Sequence, residues 1–271
     1  MLTRPIPSTG APVPVIGLGT YRSFAQYTPQ LAQVLTLFFD AGGSLIDSSP
    51  MYGAAETVTG DVLAEVNGRG TAFLATKVWT HGKQKGIDEM EASFRNMRAG
   101  DSMELMQVHN LVDTNTHLDT LKGWKDEGKI KYIGITHYTT REFKGLSDYI
   151  RKEPEIDFCQ FPYSIEQRSA ENGFLRLCAD YGVATLINMP FEQDGLFTRV
   201  LGKPLPEWAE DIGIDTWGQY FLKYLLVDDA VTCLIPATAN PSHMVDNLKA
   251  GFGPIPDQAE QKRMALYFDN L

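Results

Sequence analysis

The chain has 271 residues, 43% of them hydrophobic, enough for one barrel or two ordinary domains around a large buried core. Its 34 acidic against 24 basic side chains give a formal charge of −10 with no basic stripe, which argues against nucleic acid and anionic membrane surfaces as partners. No apolar run approaches the roughly 20 residues of a membrane span. The N-terminal MLTRPIPSTGAPVP lacks the apolar centre of a signal peptide, so the reading is cytoplasmic, although a trimmed exported form would read the same way. Cys159, Cys178 and Cys233 are an odd number without metal-type spacing and read as buried inert thiols.

Residues 14–18 (PVIGL) read as a short strand, followed by a loop at 19–22. Thr28 is placed to cap a helix that runs to Ala41, with Leu31, Val34, Leu35, Phe38 and Phe39 on one stripe. Gly42 and Gly43 end it. A second strand at 44–47, a helix at 54–66, a turn at 67–70 and a third strand at 71–77 follow. The alternation continues with a helix around 87–97, a fourth strand at 104–108, a helix at 117–127 stopped by Gly128, and a β-rich run at 132–135. Next come a helix at 140–150, a strand at 158–161, a helix at 170–181 stopped by Gly182, and a strand at 183–187. The last unit is a helix at 216–226, a strand at 231–235 and a helix at 242–250.

Eight strands each followed by a helix, with no composition break, favour one (β/α)8 (TIM) barrel over residues 1–271 rather than an open doubly wound sheet. Residues 191–213 fall outside the repeat as a long irregular loop after strand seven, of the kind that covers ligands on the C-terminal face of a barrel. An extra C-terminal helix opens with Asp257 and Glu260 in capping-box spacing and runs to the last residue, leaving no long tail to fold over a pocket.

Three apolar strands end in ionisable side chains: Asp47, Lys77 and His109, with Tyr52 in the loop just past Asp47. Taken singly, each has an ordinary reading as a packing tyrosine, a surface lysine or a satisfied structural histidine. Together on successive strand ends they form a set for proton transfer. A phenol ionises near pH 10, too high for acid–base work at neutral pH, and an ammonium beside Tyr52 is expected to lower that value. Asp47 would hold Lys77 charged and oriented. The five histidines (His81, His109, His117, His137, His243) are scattered without metal-ligand spacing, so no metal is expected.

These motifs have a family resemblance. Ile16-Gly17-Leu18-Gly19-Thr20, the run from Asp47 to Tyr52-Gly53, Thr76-Lys77, Gln107-Val108-His109, the stretch from Gly128 to Gly134, and Ile235-Pro236 with Asn247 resemble an aldo-keto reductase over nearly the whole chain. The resemblance implies the same barrel, with Tyr52 as general acid for carbonyl reduction, Lys77 and Asp47 tuning it, and His109 orienting the substrate oxygen. It further implies a nicotinamide cofactor lying extended across the barrel mouth, in keeping with the missing G-x-G-x-x-G fingerprint. Mapped onto this chain, the cofactor contacts implied are Gly19, Thr20, Thr136, His137, Gln160, Pro190, Phe191, Gly195, Leu196, Thr238, His243 and Asn247.

The chain also departs from the family pattern. Thr136-His137 stands where Ser-Asn is usual, and Asn188 where many members stack a tyrosine on the nicotinamide. The segment from Ala237 to His243 lacks the lysine and arginine that grip an adenosine 2′-phosphate, and Glu192 and Asp194 lie in the stretch that wraps the pyrophosphate. Amides at the start of the helix near Ser242 remain to hold a phosphate. The resemblance, through the habit of the family, still implies NADP(H), with NAD(H) as the alternative, and a small-molecule aldehyde or ketone as substrate for a monomer or weak oligomer. Two other readings are a cofactor-binding sensor or regulatory subunit of the same fold without turnover, and an isomerase or lyase using Lys77 as a Schiff-base amine.

Overall fold

Five of the eight barrel strands carry an apolar side chain and, two residues on, a polar one. The pairs are Leu45 and Asp47, Ala75 and Lys77, Leu105 and Gln107, Phe158 and Gln160, and Leu186 and Asn188. Because side chains alternate across a strand, both members of a pair point the same way. The computed structural model, which describes residues 1–271, shows them pointing into a barrel. Its strands are β3 (Leu18–Gly19), β4 (Leu45–Asp47), β5 (Phe73–Val78), β6 (Met103–His109), β7 (Ile130–Thr136), β8 (Phe158–Pro162), β9 (Ala184–Asn188) and β10 (Cys233–Leu234). They pair in that order, all parallel. Bridges Ile16–Leu234 and Gly19–Ala237 join the first strand to the last. Gly19 is required at this seam, since a Cβ there would lie 2.7 Å from the Ile235 carbonyl oxygen. The (β/α)8 barrel expected from the sequence is present.

The intervening residues of the strands, among them Ile46, Leu74, Met106, Ile133 and Ile187, face outward into the larger core beneath the helices. Those helices are α1 (Pro29–Asp40), α2 (Ala55–Glu65), α3 (Lys83–Asn96), α4 (Thr114–Asp126), α5 (Phe143–Lys152), α6 (Phe174–Asp180), α8 (Trp217–Leu226) and α9 (Pro241–Lys249). The α1 stripe is buried at Leu31, Val34, Leu35 and Phe38, with Phe39 at its edge. Thr28 occupies the N-cap in an extended conformation but its side chain makes no capping bond; Pro29 starts the helix instead.

Three expectations are corrected. The strand expected at 14–18 is divided: β1 (Thr3–Pro5) and β2 (Pro12–Pro14) form an antiparallel hairpin, and only Leu18–Gly19 is barrel strand. Pro12 and Pro14 have no N–H for a central ladder, which confines them to such an edge pair. Ile6 and Val13 from this hairpin pack with Leu45, Leu105 and Phe158 inside the barrel and plug its N-terminal end. Arg4 fastens it by donating to the Leu226 and Asp228 carbonyls at 2.6 and 2.7 Å and to that of Val231.

The helix expected at 170–181 breaks into a 3-10 turn (Ser169–Glu171) and α6, because Gly173 adopts a φ of 98° that α-helix does not allow. The long loop after the seventh barrel strand contains ordered turns, α7 (Gly195–Arg199) and a 3-10 helix (Glu207–Ile212). Phe191 and Phe197 of this loop pack on Phe221 of α8, which in turn packs on Phe268 of α10 (Gln258–Asp269). Asp257 and Glu260 form the expected capping box of α10. No helix is long and apolar enough to cross a membrane.

Candidate active site

The polar layer that the alternation lifts to the top of the barrel is held together by one carboxylate. Lys77 Nζ donates to Asp47 Oδ2 at 2.7 Å and to the Ser48 carbonyl at 2.6 Å. Gln107 and Gln160 donate to the other oxygen, Asp47 Oδ1, at 3.1 and 2.9 Å. Thr136 Oγ1 closes the chain by donating to Gln160 Oε1 at 3.1 Å. Strand register accounts for these meetings: Lys77 pairs with Gln107, His109 with Thr136, and Thr136 with Gln160 on neighbouring strands. Gly134 is the inward residue beside them, and a Cβ there would come within 2.7 Å of Gln107 Cγ.

Tyr52 ends a 3-10 turn (Pro50–Tyr52) that Ser49 caps, its hydroxyl accepting from Met51 N. The same hydroxyl lies 3.1 Å from His109 Nδ1, so one side chain fixes both the turn that carries the phenol and the imidazole. The Lys77 ammonium is 5.2 Å from the Tyr52 ring centroid, and the His109 ring meets Tyr52 edge-on at 6.2 Å. The four residues singled out in sequence therefore converge at one point.

Burial is the largest influence on Tyr52, Lys77 and His109. It raises Tyr52, and although the Lys77 ammonium opposes it, the net direction is up. The expected lowering of the phenol by the ammonium is thus outweighed, and Tyr52 keeps its proton at neutral pH. Burial lowers Lys77, but Asp47 and Tyr52 overcome it and the lysine is raised, hence charged. Burial, then the repulsion of Lys77 and His137, brings His109 down to about 2, so its ring is neutral.

Above this floor opens a cleft of about 1300 Å³ reached by Asp47, Tyr52 and His109. Of the expected cofactor contacts, Gly19, Thr20, Thr136, Gln160, Pro190 and Phe191 line it, as do Thr238, His243 and Asn247 on the α9 side. His137, Gly195 and Leu196 do not. His137 lies against Tyr138, with its ring nitrogen accepting from Thr139 N, and Leu196 is fully buried in the core. Asn188 lines the cleft with its Oδ1 buried and without a partner, which leaves an acceptor for a ligand amide. The N-terminus of α9 abuts the cleft through Asn240, whose side chain already takes the Ser242 amide at 2.9 Å.

Charge around the mouth is sparse. Arg22 is the one Lys or Arg in the lining, against Asp194 and Asp246. Asp246 is held by Thr216 and Gln219 at 2.8 and 2.7 Å. Glu192 turns inward to accept from Ser164 at 2.7 Å, and burial raises its carboxyl. Sequence reading missed the ties of Gln107 to Asp47 and of Ser49 to His109. The period-two spacing of Gln107 and His109 was the signal for the first; nothing local signals the second.

A buried Lys–Asp pair thus lies under a phenol and beside a neutral imidazole at the C-terminal mouth of a (β/α)8 barrel. The family model described as the aldo/keto reductase family matches residues 15–262, and the chain belongs to that family. It is accordingly an NAD(P)H-dependent oxidoreductase of carbonyl compounds. Over 251 residues it is 26% identical to methylglyoxal reductase YeaE of Escherichia coli, covering 87% of this chain and 84% of that protein. The NADH-specific methylglyoxal reductase of the same organism is 27% identical over 191 residues, 59% of this chain and 56% of that one. Among solved structures, an aldo-keto reductase from Klebsiella pneumoniae in complex with NADPH superposes with a TM-score of 0.82 at 23% identity, covering 99% of this chain and 96% of that one.

Proposed function

We propose that this chain reduces an aldehyde or ketone to an alcohol with hydride from NADPH, Tyr52 giving the proton. The observation that carries the reading is the fully buried Lys77 ammonium, 2.7 Å from Asp47 and set against the Tyr52 ring, on the floor of an open cleft. When bound, the nicotinamide supplies the hydride.

The residues supply the rest. Tyr52, neutral because burial raises it, donates its proton to the oxygen that gains charge as the carbonyl is reduced. Lys77, held charged by Asp47, stabilises the phenolate left behind. In the tautomer in which the Ser49 hydroxyl donates to His109 Nδ1, the ring proton lies on Nε2, where it hydrogen-bonds the substrate oxygen and orients it. Thr136, Gln160 and Asn188, which line the cleft, would hold a carboxamide, and the α9 end and Arg22 would hold phosphate.

The single Lys or Arg in the lining favours a second reading for the cofactor alone, NAD(H) in place of NADP(H). The names of the methylglyoxal reductases support a small oxygenated aldehyde as substrate. Titrating NADPH and NADH against the protein by tryptophan fluorescence, then following their oxidation by a three-carbon aldehyde, tests both readings. Tight binding of one dinucleotide and its oxidation by the aldehyde is the expected result. Binding of neither would refute the reductase reading, and binding without oxidation would favour a sensor.

A further inference from the structure

The turn after β6 does more than connect it to α4. Asn110 and Leu111, with φ of 53° and 54°, are its central residues, and Val112 N donates to the His109 carbonyl at 3.1 Å. Two left-handed residues closed by this bond make a tight turn of the I′ kind, for which asparagine is a favoured first central residue. That accounts for the backbone but leaves the side chain unexplained. Asn110 lines the cleft, and its Oδ1 is buried with no partner. Its Nδ2 makes no hydrogen bond within the protein either, yet it is not among the buried unpartnered atoms and so keeps some exposure. An amide fixed by a rigid turn and used by nothing in the protein is an available donor. Its Cα follows that of His109 at the trans-peptide spacing of about 3.8 Å.

Building on the reductase reading above, we propose that Asn110 is a specificity-determining residue. Its carboxamide Nδ2 donates to a second oxygen on the carbon next to the reacting carbonyl, so the preferred substrates are 2-oxoaldehydes and 2-hydroxyaldehydes. His109 takes the reacting oxygen and Asn110 its neighbour. A substrate with one oxygen leaves the Asn110 donor unmatched, and a site built to bond a second oxygen discriminates against a substrate that lacks it.

The test compares methylglyoxal with propanal, two three-carbon aldehydes that differ in the second oxygen, on the full chain with its dinucleotide. Asn110→Gly keeps the left-handed turn and removes the amide; Asn110→Asp keeps the shape and removes the donor. The discrimination ratio, kcat/KM for methylglyoxal over that for propanal, is expected to fall about tenfold in both variants, the size of one ordinary hydrogen bond. An unchanged ratio, whether both rates hold or fall together, would overturn the assignment while leaving the reductase reading intact. A wild type that oxidises the dinucleotide with neither aldehyde would overturn both.

Discussion

The floor and the rim of the cleft are built on opposite terms. On the floor, Asp47, Lys77, Gln107, His109 and Gln160 come from neighbouring strands, are buried, and are cross-linked through the two oxygens of one carboxylate and the Ser49 hydroxyl. At the rim, Met189, Glu192, Gln193 and Asp194 all hold left-handed backbone without being glycine, and Gln193 and Asp194 are exposed. Such conformations cost on the order of 1–2 kcal/mol per residue. The floor is over-determined and tolerates little; the rim holds strain and few fixed contacts, which suits a surface that must adjust to a ligand.

That contrast sets the sizes of the expected effects. Lys77→Met leaves Asp47 as an unpaired buried charge, a change that costs about 3–5 kcal/mol and is read as a large drop in the denaturant midpoint. A loss no larger than that of a rim substitution would place Asp47 in contact with water and break the comparison.

His109 gives a pH signature. Its folded value, about 2, lies below the ordinary 6.5, so between those values the unfolded chain holds a proton that the folded chain lacks. Stability from this group is complete above about pH 6.5 and is lost as pH falls toward the folded value. Urea melts of His109→Gln between pH 7 and 4 are expected to show a shallower decline than wild type; an identical slope would contradict the neutral imidazole.

Gln160→Ala removes one of three side-chain donors to Asp47 and leaves Lys77 in place. It is expected to destabilise by about 1–3 kcal/mol, less than Lys77→Met by the same assay. At the rim, Asp194→Asn removes an exposed charge and is expected to change stability by less than about 0.5 kcal/mol. It should tighten dinucleotide binding severalfold at low salt, an effect that fades by about 1 M salt. A destabilisation as large as that of Gln160→Ala would show that the rim is as fixed as the floor.

The same contrast explains what the sequence disclosed. The barrel was legible because each strand announces itself as an apolar run bounded by turn residues, and the floor because Asp47, Lys77 and His109 stand at strand ends where period-two alternation turns them inward. The phenol was legible only in company, and its direction of ionisation was not, since burial outweighs Lys77 by an amount that depends on the whole cleft. The N-terminal plug escaped because a hairpin of two three-residue strands with prolines has no periodicity to read. At the rim, local sequence gave little guidance: His137 and Leu196 follow strand and loop positions that the resemblance marked for the cofactor, yet one packs against Tyr138 and the other enters the core.

The most direct measurement of the central claim is single-turnover reduction of an aldehyde by Tyr52→Phe with the dinucleotide saturating. The account expects dinucleotide affinity to match wild type, because the phenol hydroxyl serves the proton and not the cofactor. The rate of dinucleotide oxidation should fall by about 10²–10⁴, the range for loss of a positioned general acid. A variant that turns over within a few-fold of wild type would contradict it and move the proton donor to another group in the cleft.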